Sequence, residues 1–271
     1  MIQSFFFIED YMVIHGAIDG YSRSIIYMRI HTNNLAATMV DDFVKGINDF
    51  GIPSRVRADH GGEFSHVQKM MEEINNNEDH NSFIKGKSVH NQRIERLWRD
   101  VFTKVANKYY NIFNIMENNN ILDIENATHL AVLHYVFPGR IQCDLTAWRN
   151  AHNIHPVRTE RNKSPLQLWH KAVQMSSSGR RYTAISNLFD RNLADYAPVL
   201  QSYSNSNNLD EPLNIEHVLP RFPLPLTEQQ VEHLKNSLPY NKNSEHDGVD
   251  IYGSVLQYVM NCNIHTNFDE D

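Results

Sequence analysis

Cysteine is nearly missing from this chain: Cys143 and Cys262 are the only two in 271 residues. They lie far apart and form neither a zinc spacing nor a disulfide framework. No apolar run approaches the roughly 20 residues needed to cross a bilayer. The opening MIQSFFFIEDYM lacks the basic n-region and small-residue cleavage site of a signal peptide. Together these absences predict an intracellular protein, nuclear or cytoplasmic, with no membrane partner. The 41% hydrophobic and 21% charged content is that of a globular domain. Fifteen histidines are scattered, and no His/Cys pairing resembles a zinc module.

An excess of positive charge is also missing. The net charge is -7, which by itself argues against a nucleic-acid partner. Its distribution changes that reading. Residues 1–170 hold 18 Lys/Arg against 19 Asp/Glu, whereas residues 171–271 hold 7 against 13. Within the nearly neutral part, 85–108 carries seven basic residues against two acidic ones, and 140–171 carries six against two. Such clusters are compatible with phosphate contacts, although on their own they are more often solvated helix faces.

Hydrophobic patterning predicts strands at 11–18 and 24–30, joined by the turn residues DGYS. Thr32, Asn33 and Asn34 can cap a helix over 35–50, which Gly51 and Pro53 end. Short strands are expected at 54–59 and 82–85, with a helix over 64–75 between them. Further helices are expected at 92–110, 124–137, 141–151 and 165–174. The class is therefore α/β, a mixed sheet flanked by helices. Beyond about 175 the composition turns to Ser, Asn and Pro. The division read from this is a core over 1–175 and a poorly structured extension over 176–271, with short helices near 226–238 and 249–260.

Two carboxylates stand out. Asp59 ends a short strand before a Gly-Gly turn, and Glu95 lies at the start of a helix. Each alone has an ordinary explanation, as a turn aspartate and as a surface glutamate one turn from Arg99. As a pair they are separated by thirty-five residues and sit in the segments ADHGGEF and HNQRIER. This resembles the second and third members of the Asp, Asp-35-Glu pattern of retroviral integrases and related transposases. HGAIDGYSR, GIPSRVRADHGGE, SVHNQRIERLWRDVF, LHYVFPGRI and NIHPVRTERNKSPLQLW more closely resemble the mobile-element-derived integrase core proteins of animal genomes. They run in order over residues 10–170.

The resemblance implies an RNase H-like catalytic core, DNA as partner, and polynucleotidyl transfer with Mg2+ or Mn2+ as cofactor. Asp59 and Glu95 would be the catalytic metal ligands. His90, Asn91, Gln92, Arg93, Arg96 and Arg99 would meet the nucleic acid. A homo-oligomer is compatible with holding two DNA ends. Neither the zinc-binding nor the basic DNA-binding terminal module of retroviral integrases is visible.

The first carboxylate is expected to be missing. An RNase H-like sheet runs through three strands and a helix to a fourth strand, with the first catalytic aspartate on the first strand. Only two convincing strands precede the helix, so they are the second and third, and Asp19 falls in the turn between them. The first strand then lies on Met1 and its neighbours, where MIQSFFFIED lacks the Trp-x-x-Asp of the family. Its apolar run suits an edge strand. The alternatives are a chain without the first aspartate, or one in which Asp19 or Asp10 completes the site.

Overall fold

In the computed structural model, which describes residues 1–7, 12–59, 61–75, 82–86, 92–177, 193–204 and 222–266, the apolar opening segment is a strand, β1 (Ile2–Phe7). It pairs antiparallel with β2 (Met12–Ile18), which pairs antiparallel with β3 (Ile25–His31). All seven residues of β2 are buried, as a central strand covered on both faces requires. Helix α1 (Ala36–Phe50) follows, then the short β4 (Val56–Ala58), helix α2 (Ser65–Ile74) and β5 (Phe83–Lys85). β4 and β5 pair in parallel, and β1 packs beside β4. The element order is the one expected of an RNase H-like core, with β2 and β3 where the topological argument put them.

The chain divides into two compact units. The first comprises Met1–Asp100 and Thr146–Leu219. Its core joins one face of the sheet to α1 and α2 through Tyr27, Met39, Phe43, Val56, Phe64 and Met70. Helix α3 (Gln92–Val101) belongs to it as far as Asp100, burying Ile94, Leu97 and Trp98 and exposing Arg93 and Arg96.

The second unit comprises Val101–Leu145 and Pro220–Asp271. A π-helical turn, Phe102–Ala106, leads from α3 into α4 (Asn107–Asn118). Phe113 and Phe137 meet edge-to-face at 4.6 Å, and Tyr252 lies 6.3 Å from Phe137. Two helices were expected on either side of Pro138. Instead α5 runs unbroken from Ala127 to Ile154. An interior proline costs a helix about 3 kcal/mol. Around it Leu133, Val136, Phe137, Ile141 and Leu145 are all fully buried, and that packing outweighs the lost hydrogen bond.

Helix α6 (Pro165–Ser177) starts with a reciprocal cap: Ser164 Oγ accepts from Gln167 N, and Gln167 Oε1 accepts from Ser164 N. Helix α7 (Ala197–Ser204) packs on α1 and α2 and buries Leu200 in the first unit's core. The short helices expected later are α8 (Glu228–Ser237) and α9 (Val249–Thr266).

Candidate functional site

β4 ends at Ala58, so Asp59 is the first residue beyond the sheet edge, and its Oδ1 accepts from Gly61 N at 3.4 Å. Burial pulls the Asp59 carboxyl above its ordinary range and Glu95 adds to the rise; backbone hydrogen bonds and Gln3 oppose both. Gly61 is bare for a local reason: a Cβ there would collide with the buried carboxylate of Glu63. Glu95 comes from the first turn of α3, where its charge is favourably placed against the helix dipole. The structure therefore brings together the two carboxylates that the spacing paired.

What stands beside them is Gln3. β1 sets Gln3 opposite Gly16 in β2, and the Gln3 amide reaches Glu95, with Nε2 donating to Oε1 at 2.9 Å. Its other end accepts from Trp98 Nε1 at 3.1 Å. An indole nitrogen can only donate, so the amide oxygen must face Trp98 and the NH2 must face Glu95. Trp98 can lie over β2 because residue 16 is glycine; a Cβ at Gly16 would stand 2.7 Å from the indole ring. Nothing marks this role in the sequence beyond a polar residue in an apolar strand, since Gln3 and Glu95 are 92 residues apart.

The expected Mg2+ or Mn2+ pair needs several converging anionic or carbonyl oxygens. Among the described residues, Asp59 and Glu95 bring two carboxylates and Gln3 an amide whose oxygen accepts from Trp98 and whose nitrogen donates to Glu95. That donor set does not fit a two-metal centre.

Asp19 is engaged in the turn between β2 and β3. Its Oδ2 accepts from Ser22 N and Ser22 Oγ, both at 2.7 Å, and from Tyr21 N at 3.2 Å. Asp10, His90 and Asn91 lie outside the described residues. Gln92, Arg93, Arg96 and Arg99 are exposed on α3. Other members of the basic clusters serve the fold instead. Lys108 pairs with Asp247 at 2.9 Å and with Asp144 at 3.5 Å. Arg149 Nε donates to Ile25 O at 3.2 Å, beside Asn153, which both donates to that carbonyl and accepts from Ile25 N.

The integrase core domain family model matches residues 6–184. No curated protein matches in sequence. Similar solved structures include the following two. One is a chain of the simian T-cell lymphotropic virus intasome in complex with PP2A regulatory subunit B56 gamma, at 15% identity and TM-score 0.39. That match covers 63% of this chain and 52% of the other, about half its length. The second is the HTLV-2 integrase catalytic core domain in complex with magnesium (trimeric form), at 14% identity and TM-score 0.39, covering 62% of this chain and 95% of the other.

Proposed function

Because the chain belongs to the integrase core domain family, we propose that it is a nucleic-acid-binding protein of the polynucleotidyl transferase type whose three-carboxylate site is incomplete. The observation that carries this reading is the Gln3 amide, held between Trp98 and Glu95 on the strand where a first carboxylate would stand. A hard divalent cation bound at such a site would polarise the attacking and leaving oxygens of a phosphodiester. Gln3 offers hydrogen where the cation requires oxygen lone pairs. Asp59 and Glu95 are then the remaining pair, and Asp19 is a turn residue.

DNA contact does not need the metal. Arg93, Arg96 and Arg99 on α3 would bind phosphates through charge, with His90, Asn91 and Gln92 preceding or opening the same helix. The same amide favours a second reading, a domesticated DNA-binding or scaffold protein that has left catalysis behind.

A strand-nicking and strand-transfer assay with end-labelled duplex and Mg2+ or Mn2+, run beside fluorescence anisotropy on the same DNA, tests the proposal. The expected result is salt-sensitive binding without metal-dependent cleavage. Cleavage by the natural chain that D59N and E95Q both abolish would overturn the incomplete site. Absence of binding even at low salt would overturn the nucleic-acid role.

A further inference from the structure

A second cluster lies on the opposite face of the sheet. Successive strand residues point to opposite faces, so while Gly16 lies under Trp98, His15 points to the α1 side. In the β2–β3 register Val13 faces His31 and His15 faces Arg29, so His15 and His31 are diagonal neighbours on that side. Asp42 comes down onto them from α1, and the three side chains offer ligand atoms that all lie within 4.8 Å of one another. One carboxylate oxygen serves both rings: Asp42 Oδ2 is 3.2 Å from His15 Nδ1 and 2.6 Å from His31 Nε2.

From these residues we propose that His15, His31 and Asp42 form a binding site for a zinc-class divalent cation, which ties α1 to β2 and β3. Two imidazoles and a carboxylate are a borderline-soft donor set, suited to zinc rather than to magnesium. A tetrahedral zinc with bonds of about 2.0–2.1 Å sets its donors about 3.3 Å apart. The His15–Asp42 distance already meets that spacing, whereas His31 stands 2.6 Å from Asp42 Oδ2 and has to move for all three donors to reach it. It is the member able to do so: its side chain is 21% exposed, against 0% for His15 and 1% for Asp42. The same opening provides an entry path and leaves the fourth position to water.

Arg29 Nε lies 3.4 Å from Asp42 Oδ1, holding that oxygen aside while Oδ2 faces the rings. His15 Nε2, the ring nitrogen that does not meet Asp42, is buried without a hydrogen-bond partner. No zinc-motif spacing betrays the site in the sequence, since its ligands come from two strands and a helix.

The test uses the full chain, stripped with a chelator, reloaded with Zn2+, dialysed and assayed for metal by mass spectrometry. The natural chain is expected to retain about one zinc per chain. H31N, whose side chain is at the mouth and whose fold is checked by circular dichroism, is expected to lose at least about tenfold in zinc affinity, as is D42N. Co2+ should give a tetrahedral visible absorption band in the natural chain and not in H31N. D59N and E95Q should bind zinc like the natural chain, which separates this site from the Asp59–Glu95 pair. A natural chain that retains no zinc, or a folded H31N that retains it fully, would overturn the assignment.

Discussion

Trp98 donates its indole hydrogen to Gln3 Oε1 at 3.1 Å, and that bond decides which end of the Gln3 amide Glu95 meets. The tryptophan acts on the carboxylate through another side chain. It is a positioning residue, seated by a glycine on the neighbouring strand.

Replacing the amide with its isosteric acid reverses the local chemistry. Q3E keeps the acceptor for Trp98 but sets a third carboxylate against Glu95 and Asp59. Without divalent ions, a loss of about 1–3 kcal/mol is expected from the missing hydrogen bond and the like charges. Mg2+ should recover it in Q3E while leaving the natural chain unchanged. Thermal melts with EDTA and with Mg2+ check this, and equal stabilisation of both chains by Mg2+ would remove the amide as the obstacle.

Gly16 has no spare room. In G16V the new side chain meets the Trp98 ring, since even its Cβ would stand 2.7 Å away. Overpacking of this kind costs about 1–3 kcal/mol. Urea unfolding followed by tryptophan fluorescence should show the loss. A midpoint equal to that of the natural chain would mean that the indole is free to move aside.

His152 is expected to make the first unit sensitive to mild acid. Its Nε2 donates to Arg23 O at 3.2 Å. Burial holds its pKa below the ordinary histidine value, outweighing that carbonyl and the nearby Asp100, which raise it. A lowered folded pKa means that the unfolded chain takes the proton first. Stability is therefore complete above about pH 6.5 and falls as pH drops through the folded value. Melting temperature should decline from about pH 7 to about pH 5, and decline less in H152Q. Identical slopes in the two chains would assign the acid sensitivity to other groups.

The exposed arginines of α3 should carry a measurable share of DNA affinity. R96A and R99A are each expected to lower the slope of log K against log salt by about one, without preference for sequence. Anisotropy titrations at several salt concentrations give the slopes. Unchanged slopes in both variants would move the DNA surface elsewhere.

Much of the scaffold was legible because its signals are local. The run expected over 11–18 holds the fully buried β2, Met12–Ile18, and the turn before Ser24 contains Asp19 as its hydrogen-bond acceptor. The Asp59–Glu95 pair was legible through spacing and wording. Gln3 and Trp98 were not, because their meaning depends on contacts across 92 and 95 residues. Pro138 misled for a different reason: a proline rule weighs the backbone alone, and the packing around Phe137 outweighed it. The His15–His31–Asp42 cluster escaped because side-chain convergence from a sheet and a helix leaves no period in the sequence.

The Gln3 amide also bears on heredity. Glutamine and glutamate codons differ only in their first base, and the two side chains have the same reach. A single base change in the codon for residue 3 would put a carboxylate where the amide now donates to Glu95, with the backbone of β1 unaltered. The difference between two acids and three beside Trp98 is thus within reach of ordinary mutation. Natural variation at this codon can be read directly as a change in the charge of the site.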